Sequence, residues 1–298
     1  MHHDFSLKEQ VAHGTQKNPI SGLPFRTGKG TGYENRFFVE RHWHHYIEII
    51  YIVKGTYQFE INLEEFRLET GDICFLNGED LHQITGLEAI TAHDVLLFDP
   101  KILKFSYMDE FSEQVIEPLL DHKHLLPHFL HPNHSHYAEV RSRLLPLLEL
   151  AVKKPERWYV PCKLGLIELL YFMQTCGLFL SADEALSPAD RQKIERYKKM
   201  VSYMETNYPQ TITLQDLGNV VSCNPQYMCR FFREITGTSP MQYLISLRVE
   251  HACSLLRRTE KSVLEISLDC GFENVSYFIR KFRQLKGCTP GEYRNSPG

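Results

Sequence analysis

The last hundred residues of this chain repeat themselves, and that repeat constrains the fold more than any other feature. YMCRFFREITGTSPMQYL, starting at Tyr227, returns fifty residues later as YFIRKFRQLKGCTPGEYR, starting at Tyr277. Seven pairs are identical in one ungapped window: Tyr227/Tyr277, Arg230/Arg280, Phe232/Phe282, Arg233/Arg283, Gly237/Gly287, Pro240/Pro290 and Tyr243/Tyr293. Upstream, with the offset shortened to 49, Leu214/Val263, Leu217/Ile266 and Ser222/Gly271 also correspond, the small pair falling where a turn belongs. Each copy therefore reads as helix, tight turn, helix. Helix starts are written in a recurring grammar of a capping side chain followed by proline: Ser187-Pro188, Asn224-Pro225, Ser239-Pro240 and Thr289-Pro290. Thr213 starts a further helix, as does Ser262, where Glu265 completes a capping box.

Spacing separates two faces on the second helix of each copy. Met228, Phe232 and Ile235 follow an i, i+4, i+7 rhythm, as do Phe278, Phe282 and Leu285, and are expected in the core. Another stripe carries Gln226, Cys229, Arg230 and Arg233 in the first copy and Ser276, Ile279, Arg280 and Arg283 in the second, with Asn274 beside the second helix start. One such stripe alone reads as a solvated face; two equivalent stripes suit adjacent faces of a DNA major groove about one turn, roughly 34 Å, apart. Arginine pairs bidentately with guanine and glutamine with adenine, while other arginines hold phosphate. The helix expected over Pro240–Arg258 lies between the copies. At about 1.5 Å per residue it is long enough to act as their spacer.

Charge agrees with this division of labour. The whole chain of 298 residues carries a net charge of −4, but residues 1–189 hold 17 basic against 26 acidic side chains, and residues 190–298 hold 16 against 11. The basic part is the candidate for an anionic partner. From Arg36 to about Phe98 apolar and β-branched runs alternate with Gly55, Asn62, Gly71, Asn77-Gly78 and Gly86, as in an antiparallel sandwich or barrel. After Pro100 the rhythm turns helical, over Tyr137–Lys153 and Lys163–Leu180, and SADEALSPAD (181–190) reads as a linker. The longest charge-free apolar stretch, Leu169 to Ala182, is too short for a membrane span, and MHHDFSLKEQ holds no apolar signal region. Eight cysteines without a Cys-x-x-Cys pair read as reduced thiols of a cytoplasmic protein.

Residues from about 195 to 295, above all GFENVSYFIRKFRQLKGCTPGEYR, resemble the paired helix-turn-helix domain of AraC/XylS-type transcription regulators. The resemblance implies DNA binding, with Gln226, Cys229 and Arg230 at base-contacting positions of the first recognition helix and Ser276, Ile279 and Arg280 at those of the second. Cys229 and Ile279 form hydrogen bonds poorly and suit a thymine methyl instead. His42-x-His44-x3-Glu48-x6-Gly55, then Gly71 and His82, is similar to the motifs of cupin barrels, although Asn77 stands at the usual proline and Glu79 at a glycine. On one strand His42, His44 and Glu48 share a side.

Three imidazoles and a carboxylate are a legitimate set for Fe, Ni, Mn or Zn. The regulator resemblance implies instead a metal-free site for a small effector, often a sugar, at His42, His44, Glu48 and His82. The six histidines from His122 to His136 read as a solvated connecting loop. The expected fold is α+β: an N-terminal cupin-like β-barrel with a helical dimerisation region, then an all-α domain with two helix-turn-helix motifs. The domains expected are 1–134 for the effector, 135–186 for the helical region and 187–298 for DNA. The middle helices, through Leu144, Leu147, Leu148 and Val152 and through Leu164, Ile167, Tyr171 and Leu178, pack on the barrel or pair two copies. The expected function is a promoter-binding regulator, an activator by the resemblance, working as a homodimer on double-stranded DNA with RNA polymerase as a further partner, with no cofactor and no membrane. A metal-dependent cupin enzyme with a helical tail is the alternative.

Overall fold

A computed structural model describes residues 20–26, 37–182 and 187–295, with the backbone alone for 23–26. Residues 183–186 of the expected linker, the N-terminal segment and Arg36 lie outside the described residues. The chain forms two compact units that divide between Asp190 and Arg191.

The first unit is built on two antiparallel sheets. One has the order β1 (Ile20–Arg26), β8 (Ala92–Phe98), β3 (Ile47–Lys54), β6 (Ile73–Leu76), β10 (Phe129–Leu130). The other has the order β2 (Phe38–His42), β7 (His82–Gly86), β4 (Tyr57–Ile61), β5 (Glu64–Leu68). A short ladder pairs β9 (His124–Leu125) with β11 (Leu180–Ser181). The apolar run of β3 is buried on both faces, as expected of a central strand with layers on either side. Ile47 and Ile49, with Ile73, Phe75, Leu96 and Phe98, point to the helices; Ile50 and Ile52, with Cys74, Leu76 and Val95, point to Tyr57, Phe59, Ile61 and Ile84 of the second sheet. Glu48 has the parity of the inward set, and this places it at the mouth of the barrel.

Helices α1 (Tyr137–Lys153) and α2 (Tyr159–Thr175) cover the outer face of the first sheet. Leu144, Leu147 and Leu148 are buried in that core, Leu178 joins it and Ile167 packs against it. Leu164 and Tyr171 do not share this role: they are 60% and 54% exposed, with Val160 at 62%, and recur at helical spacing on another face of α2.

The histidine-rich segment is not simply solvated. His128 lies 3.2 Å from the buried Asp80, and His131 lies 2.8 Å from the buried Asp72, so these two rings pin the edge strand β10 along β6. Burial works to raise the pKa of Asp80, but hydrogen bonds and charge from His128, with Asn62 and Asn77, outweigh it and hold the carboxyl below its usual range. Asn77, at the position of a usual cupin proline, ties this turn to the segment by accepting from Leu126 N–H at 2.7 Å and donating to Leu126 O at 3.1 Å.

The second unit is all helical: α3 (Pro188–Asn207), α4 (Leu214–Val220), α5 (Pro225–Thr236), α6 (Pro240–Arg258), α7 (Val263–Asp269), α8 (Val275–Lys286) and α9 (Pro290–Asn295). Every capping signal read from the sequence opens one of these helices, and the boxes at Thr213 and Ser262 are formed in both directions. Met228, Phe232, Phe278 and Phe282 are fully buried, as their spacing requires. The spacer α6 packs against both helix-turn-helix copies.

All eight cysteines are free thiols. Burial pushes Cys162 and Cys253 up to about 11 and Cys270 to about 12, and raises Cys74 well above its ordinary value. Since the thiolate is the reactive form, an alkylating reagent applied to the native protein at about pH 8 spares those four and labels Cys176, Cys223, Cys229 and Cys288, which are only half-buried. Rapid labelling of Cys74 or Cys270, read by peptide mass spectrometry, contradicts this packing.

Candidate functional site

Helices α5 and α8 are built alike down to single hydrogen bonds. Asn224 and Asn274 cap them, each side-chain oxygen accepting from the amide of the tyrosine three residues on, at 2.8 Å for Tyr227 and 2.9 Å for Tyr277. Both helices end at a left-handed glycine, Gly237 and Gly287, whose amide donates to the carbonyl of Arg233 or Arg283. Between these ends Gln226, Arg230 and Arg233 stand exposed on α5, and Ser276, Arg280 and Arg283 on α8.

Each central arginine is paired with the tyrosine one turn earlier. The Arg230 guanidinium lies 5.9 Å from the Tyr227 ring centre and that of Arg280 lies 5.2 Å from Tyr277. A cation–π contact at an exposed site contributes about 0.5–1 kcal/mol, enough to bias the arginine toward one orientation before a partner arrives. Glu234, 3.8 Å from Arg230, is an exposed pair of little energetic weight. On α8 the stripe borders a groove of about 480 Å³ lined by Ser276, Ile279, Arg280, Arg283, Gln284 and Thr289.

Three of the residues proposed for DNA need closer description. Asn274 spends its side-chain oxygen on capping α8, so its first task is to start the helix. Ile279 packs partly against the core of the second copy while bordering the groove, and Cys229 is half-buried. Tyr227 and Tyr277 were absent from the contact set. Their identity across the repeat is the one signal in the sequence that marks them.

At the mouth of the barrel His42, His44 and His82 converge, their ligand nitrogens all within 4.8 Å of one another. Glu48 joins them, its Oε2 lying 3.2 Å from His44 Nε2 and 3.8 Å from His82 Nε2. Parity along one strand is not the cause. β2 ends at His42, which pairs directly with His82 of β7; His44 sits in the connection that follows, and Glu48 belongs to the opposite sheet. Four side chains from two sheets thus meet at one end of an interior otherwise filled by Ile50, Ile52, Tyr57, Phe59, Leu76 and their neighbours.

Two family descriptions match the chain, one to each half: an AraC-like ligand binding domain over residues 27–131 and a helix-turn-helix domain over residues 217–296. The chain belongs to the AraC family of transcription regulators. Similar AraC-family and helix-turn-helix proteins include an uncharacterized HTH-type transcriptional regulator, YdeC, of Bacillus subtilis strain 168, which is 26% identical over 98% of this chain and 97% of its own length. The HTH-type transcriptional activator RhaS of Enterobacter sp. strain 638 is 24% identical over 85% of this chain and 86% of its own. Among solved structures, an AraC-type regulator from Chromobacterium violaceum is 32% identical over 35% of this chain and 96% of its own, with a TM-score of 0.33. This AraC-family chain is a DNA-binding regulator with a domain for a small molecule, and regulator relatives at nearly full length remove the metal-dependent enzyme as a reading of it. Among its described residues no helix is long and apolar enough to cross a membrane.

Proposed function

We propose that this regulator reads a promoter with α5 and α8 together, as a cytoplasmic homodimer whose barrel holds a small effector of the carbohydrate class. The observation that carries the reading is the twofold occurrence of one exposed unit, an arginine held over a tyrosine on a capped, glycine-ended helix. Chance surface charge does not reproduce such a unit at a fifty-residue period. Gln226, Arg230, Ser276 and Arg280 face base edges; Arg233 and Arg283 hold phosphate; Cys229 and Ile279 offer apolar contact; Asn274 sets the start of α8. An electrophoretic shift with the DNA upstream of its own gene tests this. Retardation that weakens steeply with salt is expected, because each phosphate contact releases counterions, and no retardation at low salt sinks the reading.

The effector is proposed to bind at His42, His44, Glu48 and His82 within an effector domain of residues 1–134, relayed through a helical region of 135–186 to a DNA-binding domain of 187–298. A sugar present at 100 times its dissociation constant raises stability by about 2.7 kcal/mol, so a thermal-shift screen finds it; a full sugar panel without a shift rejects the carbohydrate class. Val160, Leu164 and Tyr171 of α2 are the proposed contact with a second copy. Leu164→Glu is expected to weaken self-association at least tenfold, about 1.4 kcal/mol, read by light scattering as a monomer at concentrations where the parent is a dimer; an unchanged mass removes this face. Activation with RNA polymerase is proposed in line with the activator name of RhaS. A run-off transcription assay in which transcript falls on adding the regulator reverses that sign.

A further inference from the structure

We propose that Glu234 is a specificity-determining residue of the first reader, one that weakens the hold of α5 on phosphate without weakening its hold on bases. The inference rests on reading α5 and α8 as the DNA interface. The repeat supplies the comparison. Fifty residues on, Gln284 stands where Glu234 does, and both side chains are exposed one turn beyond the central arginine. Glu234 is the one acid on α5, beside Arg230 and Arg233, whereas α8 carries Arg280, Lys281, Arg283 and Lys286 and no acid. Lys286 is buried against Glu250 of the spacer helix. Two cations and one anion therefore lie at the surface of α5, and three cations with no anion at that of α8.

The two helices also differ in what the stripe touches. Glu234 Oε1 lies 3.8 Å from Arg230 Nε, and the same guanidinium lies 5.9 Å from the Tyr227 ring centre. On α8 the corresponding side chain, Gln284, accepts from Lys281 Nζ at 3.0 Å, and Arg280 keeps its contact with Tyr277 and meets no carboxylate from that position. The acid that the second copy does carry nearby, Glu292, accepts from the Thr289 amide and hydroxyl at 2.7 Å and 2.8 Å and so is committed to starting α9. Gln242 does the same for α6 in the first copy.

An exposed pair such as Arg230–Glu234 adds little to folding. Discrimination compares two DNA-bound states, and the carboxylate counts differently in each. An arginine on phosphate needs only its charge, which Glu234 offsets while its own oxygens repel the neighbouring phosphates. An arginine on guanine needs its geometry. Its two terminal nitrogens reach O6 and N7, and Nε is left to stay with Glu234. The carboxylate thus lowers sequence-independent binding and spares base reading, so selectivity comes from a repulsive contact as well as an attractive one. With glutamine in that place, α8 grips any duplex. The two readers are unequal: α8 holds the backbone and α5 chooses the sequence.

Retardation of the DNA upstream of its own gene is measured beside a shuffled duplex of the same composition, over a range of salt, for the full-length parent, Glu234→Gln and Gln284→Glu. Glutamate and glutamine have similar helix preference and both positions are exposed, so the variants fold as the parent does, which their melting temperatures check. Glu234→Gln is expected to tighten binding to the shuffled duplex about threefold, the order of one exposed charge, and to tighten the upstream DNA less, so that the ratio of the two affinities falls by about half. The salt dependence on the shuffled duplex steepens by about one phosphate contact. Gln284→Glu moves the shuffled duplex the other way. In an Arg230→Ala background the fall in the ratio disappears, since Glu234 acts through that arginine. An unchanged ratio in Glu234→Gln overturns the proposal, and so does a fall of equal size without Arg230, which makes Glu234 a surface charge and nothing more. A parent that retards neither duplex, or both equally, fails the reading of α5 and α8 as promoter readers, so the parent alone tells the two failures apart.

Discussion

Replacing Arg230 or Arg280 by alanine is expected to lower affinity for the operator by roughly 1–3 kcal/mol each, a loss of about five- to 150-fold, if each reads a base. Both guanidinium groups are exposed, and both are biased toward a tyrosine one turn earlier, so part of the side-chain freedom lost on binding is already given up. The two residues belong to different copies and share no partner in their ring and ion-pair contacts. Their effects should therefore add in the double variant. Arg→Lys at the same positions keeps the charge but lacks the bidentate fork, so it should preserve the salt dependence while relaxing discrimination at one base pair. Titrations of wild-type and base-substituted operators report both quantities. Alanine variants that fold normally and bind with parental affinity remove these arginines from the interface.

The second large effect is on folding. Gly271→Val is expected to destabilise the DNA-binding unit by about 3–4 kcal/mol, combining left-handed backbone strain of order 1–3 kcal/mol with overpacking of about 1–3 kcal/mol. Gly271 has φ +78°, and a Cβ built there would lie 2.6 Å from Tyr208 O and 2.7 Å from Pro209 O. That loop has no freedom to withdraw, because Arg248 of the spacer helix donates from Nε to Tyr208 O at 2.8 Å and from Nη2 to Gln210 O at 2.7 Å. At roughly 4–8 °C per kcal/mol for a unit of about a hundred residues, the melting temperature falls by about 12–30 °C. Gly237→Ala is the matching control. Gly237 has nearly the same φ, +72°, with no atom within 4 Å of the missing Cβ, so it should show the strain alone, about 1 kcal/mol. Equal losses at the two positions would mean that the close approach to the Tyr208 loop contributes nothing.

The helical half was legible because its information is local. Caps, prolines and the 3.6-residue rhythm each act within a turn, and a repeat shows every signal twice. Ser222 and Gly271, paired as small turn residues, share a positive φ of 53° and 78°, a conformation encoded at both positions by the same turn. The barrel depends on pairing between distant strands, and there the reading loosened. β1 contains Pro24, which reads against a strand but is tolerated on a sheet edge, the place β1 occupies. β7 follows a turn-rich run closely enough to mask its alternation, and β9 to β11 are only 2 residues each, too short to show a period. The histidines were identified as a set, yet the reason they meet, two sheets facing at one mouth, is a property of topology that spacing along one strand cannot express.

Methylation protection of guanine N7 on the upstream DNA tests the central claim most directly, since N7 lies in the major groove where α5 and α8 are placed. Two protected patches about one helical turn, roughly 10 base pairs, apart are predicted for each bound chain, with Arg230→Ala erasing one patch and Arg280→Ala the other. A single patch, or protection that survives both substitutions, contradicts a paired reader.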